Sequence, residues 1–166
     1  MTKKDIDTAK ITPPTVSMGD DKHKLEYNDD QVKLVCGTAN ADAAMTMLNQ
    51  AANAQFDKDE DRINAAIALM AEIHPKDGLE GMLASQMVAV HNMAMECASR
   101  AMLPDNTVDG VNSGINRTTK LMRTFTAQME ALQRYRNGGK QKITVQHVNV
   151  EDGGQAIVGD VHKGEG

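Results

Sequence analysis

Residues 77–102 read DGLEGMLASQMVAVHNMAMECASRAM, and the architecture turns on this stretch. Asp77 stands where a helix cap belongs and Glu80 follows three residues later, a capping-box pair with Asp in place of the commoner Ser or Thr. Behind the cap, Leu79, Leu83, Met87, Val90, Ala94, Cys97 and Ala101 step by 4, 4, 3, 4, 3 and 4, close to a heptad seam. The spacing predicts a helix of about seven turns, ending at Met102 and stopped by Leu103-Pro104-Asp105.

Downstream, residues 106–113 read as the longest internal loop, followed by a helix over 113–136. Its apolar positions Ile115, Met122, Phe125, Met129 and Leu132, with Thr118 as the one polar member, repeat the heptad steps. Two long helices joined by a loop of about ten residues predict an antiparallel helical hairpin. Its seam serves equally as an intramolecular core or as an intermolecular coiled coil. Upstream, Thr38 or Asn40 caps a helix carrying Ala41, Ala44, Met45, Leu48, Ala51 and Ala52. The acidic run at 57–61 opens another, where negative charge meets the positive end of the helix dipole. That helix presents Ile63, Ala66, Ile67, Met70 and Ile73 on one face and ends at His74-Pro75. Residues 1–37 read as a disordered or extended tail, with QVKLVC at 31–36 either a short strand or the lead-in to the first helix.

Past Asn137-Gly138-Gly139 the period changes to two. KITVQHVNV at 142–150 alternates, EDGG at 151–154 is a turn, and QAIVGDV at 155–161 is a second strand, so a β-hairpin is expected over 138–161 with a polar tail at 162–166. The expected fold is therefore mainly α: a bundle of three to four helices over 38–137, containing a long antiparallel helical hairpin, followed by a C-terminal β-hairpin. An isolated two-stranded hairpin is marginal in water and its edges stay open. Ile143, Val145, Ile157 and Val158 are the candidates for an oligomer or partner contact there.

Composition points the same way. The chain has 166 residues, 40% of them hydrophobic but only 2% aromatic, with twelve Met and no Trp. Such a core suits helices packed through small residues and adaptable Met, and leaves apolar surface for copies of the chain to cover. No apolar run reaches the roughly 18 residues of a membrane span and MTKKDIDTAK has no signal-peptide core, so a cytoplasmic protein is expected. Cys36 and Cys97 cannot form a disulfide scaffold.

Charge is unevenly placed. Residues 113–142 hold seven Lys or Arg against one acidic residue, in a chain of net charge −5. Arg117, Lys120, Arg123, Arg134, Arg136, Lys140 and Lys142 are candidates for nucleic-acid phosphate. The competing reading is that they complement a helix dipole and pair with the acidic N-terminal helices. Neither His91 nor His147 belongs to a metal-ligand pattern, Cys97 falls on an apolar seam, and no phosphate-binding glycine motif is present. No catalytic residue, metal, cofactor or small-molecule substrate is expected.

The strings QMEALQRYRNGGKQKITVQHVNVEDGGQAIVGDV (128–161) and MLASQMVAVH (82–91) resemble small conserved proteins encoded in prophages and other mobile elements of Proteobacteria. The resemblance covers about residues 76–161 and implies a context only, a phage-derived gene whose product acts in an assembly. The reading that follows is a non-enzymatic homo-oligomeric assembly or adaptor protein. The alternative is a nucleic-acid-binding accessory protein, akin to a small terminase subunit, using residues 117–142.

Overall fold

In the computed structural model, which describes residues 12–18, 23–56 and 59–138, the chain is mainly helical. A short antiparallel pair, β1 (Thr15–Met18) and β2 (His23–Glu26), comes first, with Val16 opposite Leu25. Five helices follow: α1 (Asp29–Cys36), α2 (Ala41–Asn53), α3 (Glu60–Glu72), α4 (Gly78–Ala101) and α5 (Val108–Arg136).

Each helix starts where a side chain can accept from its open amides. Asn40 and Asp59 cap α2 and α3, Asp77 caps α4 by accepting from the amides of Leu79 and Glu80, and Thr107 caps α5 through Gly110. The Thr107 cap extends α5 over most of the stretch expected to be loop, so the connection between the long helices is shorter than the sequence suggests. Gly114 explains how the two helices meet there: a Cβ at this position would lie 2.6 Å from that of Ala101.

The described part of the expected tail differs most. Asn28 and Gln31 form a reciprocal capping box at the start of α1, and Gly37, with φ +66°, ends it in the left-handed conformation. Val32, Val35 and Cys36 point into the core. Pro14 and Val16 are buried as well, and the Asn64 side chain of α3 pairs with the Val16 backbone as a neighbouring strand would, accepting from its amide at 2.7 Å and donating to its carbonyl at 3.0 Å. A partner 48 residues away leaves no mark in the local pattern.

The main core gathers Val35, Cys36, Met47, Leu48, Ile67 and Met70 from α1, α2 and α3, and α4 closes it with Val88. At α1 and α4 the backbones touch: a Cβ on Gly81 would overlap the Cys36 carbonyl. The opposite side of α4 receives α5 in an antiparallel hairpin, as expected, with the Thr118 hydroxyl 3.5 Å from the Ala94 carbonyl and the His91 ring 5.8 Å from Phe125. The β-hairpin expected over 138–161, with Ile143, Val145, Ile157 and Val158, lies outside the described residues beyond Gly138.

Candidate functional site

The far end of α5 is tied down by charge. Arg136 donates from Nε (3.1 Å) and Nη2 (2.8 Å) to Oε2 of Glu80, and from Nη2 to the carbonyls of Ile73 (2.8 Å) and His74 (3.1 Å). The same Glu80 oxygen accepts the Lys76 amide at 2.9 Å. Glu80 is only 3% exposed and Arg136 28%, so this is a largely desolvated pair whose hydrogen bonds converge on one carboxylate oxygen. The guanidinium holds the Glu80 carboxyl below its usual range, against the opposing effect of burial. Beside it the Tyr135 hydroxyl donates to Asp77 Oδ2 at 2.9 Å. Asp77 is lowered first by the Glu80 amide and then by this hydroxyl, while Tyr135 is raised by its bond to Asp77. The grip falls on an unusual corner: His74 has φ 52°, and its Nδ1 lies 2.9 Å from the Glu72 carbonyl.

Of the basic residues singled out from the sequence, Arg136 therefore has an acidic partner within the chain. Arg134 lies 3.5 Å from Glu130 one turn back, both well exposed. Arg117, Lys120 and Arg123 sit on the solvent side of α5, while Lys140 and Lys142 lie outside the described residues, as does His147. Arg117 and Lys120 do not face solvent alone. With Leu121 they form one wall of a cavity of about 950 Å³, opposite Ala65 and Leu69 of α3 and above Met93 of α4. Phe56 closes one end, with the Arg100 guanidinium carbon 3.8 Å above its ring centroid. Cys97, expected to be buried in the seam, is half-buried and lines this cavity. By contrast Cys36 is enclosed, and burial pushes its thiol up to about 11. Sequence periodicity missed the cavity because Leu69, Met93 and Phe56 each look like isolated exposed apolar residues.

A second feature is the outer face of α5. Val111, Gly114, Thr118, Leu121, Phe125 and Gln128 are half-buried and Leu132 is buried, stepping by 3 and 4 along the side that α4 covers. Only Thr118, Phe125 and Leu132 belong to the seam expected from the sequence. Its other members, Ile115, Met122 and Met129, together with Val108, are between 45% and 77% exposed and repeat every seven residues. Asn112, Thr119, Thr126 and Gln133 run beside them at the same interval, so this strip carries no charge. The Thr119 and Thr126 hydroxyls donate to the carbonyls of Ile115 (2.9 Å) and Met122 (3.1 Å), which satisfies their polarity within the helix.

Among the described residues no three His, Cys, Asp or Glu side chains converge to hold a metal ion, and no helix is long and apolar enough to cross a membrane. Comparison of the chain with protein-family models, with curated proteins and with solved structures finds no match.

Proposed function

We propose that the protein is a non-enzymatic, self-associating assembly or adaptor component of a phage-like element, whose copies pair through the outer face of α5. The observation that carries this reading is the strip Val108, Ile115, Met122 and Met129, an uncharged heptad face that α4 leaves open. A single solvated helix face is normally charged; one that is apolar at one heptad position and uncharged at the next has the pattern of a coiled-coil seam. Fully covering an apolar side chain of this size is worth about 1.5–3 kcal/mol, and these are already partly covered, so the gain per residue is smaller and depends on the repeat along both copies. In the same proposal Ile143, Val145, Ile157 and Val158 add a strand-pairing contact beyond residue 138. The phage-like setting rests on the resemblance of residues 76–161.

Light scattering of the whole protein across a concentration series tests the pairing. The mass is expected to exceed one chain, and the double variant Ile115→Glu, Met122→Glu is expected to return it to one chain with helical circular dichroism retained. A wild-type protein that stays a single chain throughout ends the proposal. The nucleic-acid alternative draws on the basic region 117–142, within which Arg117, Lys120 and Arg123 have no acidic partner among the described residues. It requires duplex binding whose salt slope falls when these three are replaced by Ala.

A further inference from the structure

We infer that the trough between α3 and α5, floored by α4, is a docking site for an acidic amphipathic helix of another protein. The trough is built rather than incidental. Gln55, itself buried, donates to the Ala51 carbonyl at 2.8 Å and accepts from the Asn92 side chain at 2.7 Å, which pins the end of α2 to α4. That fixes the position of Phe56, exposed at the end of the trough beneath Arg100. Leu69 and Met93 are exposed to the same space. A smaller hollow of about 800 Å³ at the turn between α4 and α5 shares Arg100 and Arg117 with it, so the depression continues along α4 toward its C-terminus.

The charge around this apolar floor is one-sided. Among the described residues Arg62, Arg100, Arg117 and Lys120 line the trough together with Glu96, and Asp59 lies 3.5 Å from Arg62 Nε at its edge, so cations still outnumber carboxylates. Glu96 shows what the rim accepts: its Oε1 lies 2.7 Å from Arg100 Nε and its Oε2 3.9 Å from Arg62 Nη1. Carboxylates on an incoming segment would meet Arg117 and Lys120 in the same way, while its apolar face covers Leu69, Met93 and Leu121. Shape favours a helix, since α3, α4 and α5 supply three sides of a bundle and a fourth helix completes it. An apolar helix would desolvate the cations without compensation. A nucleic-acid backbone would leave the apolar lining of Leu69, Met93 and Leu121 uncovered. Exposed Met side chains suit adaptable capture of such a helix.

The test uses fluorescence anisotropy with the full-length protein and a labelled synthetic amphipathic peptide bearing Leu at helical spacing and Glu on both flanks. Saturable binding is expected, weakened about tenfold by Arg117→Glu with Lys120→Glu, weakened by added salt, and lost when the peptide's Glu are replaced by Lys. Because both protein residues are exposed, retained helical circular dichroism should accompany the loss; Arg117→Gln with Lys120→Gln should give an intermediate effect. Absence of binding, or equal binding by the charge-reversed protein, overturns the inference. So does displacement of the peptide by duplex DNA with the same dependence on Arg117 and Lys120, which assigns the trough to nucleic acid. Conversion of a wild-type oligomer to a single chain by these two changes overturns it as well, by assigning the trough to a second copy. None of these results involves Ile115 or Met122, so they leave the pairing of α5 to its own experiment.

Discussion

Arg136 places four hydrogen bonds on three acceptors, all at the corner between α3 and α4. Arg136→Met keeps the aliphatic stem but leaves Glu80 buried with the Lys76 amide as its remaining partner. A fully buried pair costs about 3–5 kcal/mol to break; with Arg136 28% exposed, a loss of about 2–3 kcal/mol is expected in urea denaturation. Glu80→Gln, which keeps an acceptor for the amide, should cost about 1–2 kcal/mol. Equal stability of wild type and Arg136→Met would show that the pair contributes nothing. At this scale the sequence was half legible. Asp77 and Glu80 announce a helix start, because capping is a relation between near neighbours. That Glu80 turns away to meet Arg136 is not announced, since 56 residues separate the two and only the folded hairpin brings them together.

The hairpin of α4 and α5 shows what periodicity gives and withholds. Of the α4 seam expected from spacing, Ala94, Cys97 and Ala101 meet α5 at Thr118 and Gly114, whereas Leu79 at its start is 55% exposed. On α5 the apolar residues spread over two adjacent heptad columns. A count of steps joins Ile115 to Thr118 and Met122 to Phe125 in one seam, whereas packing covers one column and leaves the other open. The covered side also includes Gln128, whose Oε1 is buried without a hydrogen-bond partner among the described residues. An unsatisfied buried amide oxygen costs about 1–3 kcal/mol, so Gln128→Leu is expected to raise stability by about 1 kcal/mol, read as a higher denaturation midpoint at unchanged slope. A lower midpoint would show that the amide is satisfied in solution. At the same scale α1 stays ambiguous between strand and helix in the sequence for a different reason. Eight residues with three buried side chains are too few for a period to emerge, although Asn28 and Gln31 bear the spacing of a capping pair.

Across the molecule, the core of α1, α2 and α3 is closed on one side of α4, while α5 is held by the other side of α4 and by its terminal grip. Because Glu80 and Asp77 have lowered carboxyl pKa values, they stabilise the folded state at pH above the ordinary carboxylate range, about 4. That contribution is lost as pH falls through their lowered values. Acidification should therefore free the end of α5 first. Amide hydrogen exchange corrected for intrinsic rates is expected to accelerate at residues 129–136 before it does so in α3, and simultaneous loss of protection everywhere would contradict this. The scarcity of aromatic residues points to packing through small side chains and Met but not to the core's division between the two sides of α4, which depends on which faces the folded chain brings together. The grip also sets a polarity. It sits at one pole of a hairpin whose 24-residue α4 spans roughly 36 Å, while Arg100 and Arg117 lie toward the other. Gly138, the last described residue, is thus anchored at the pole away from Arg100 and Arg117, about one helix length from that end of the hairpin.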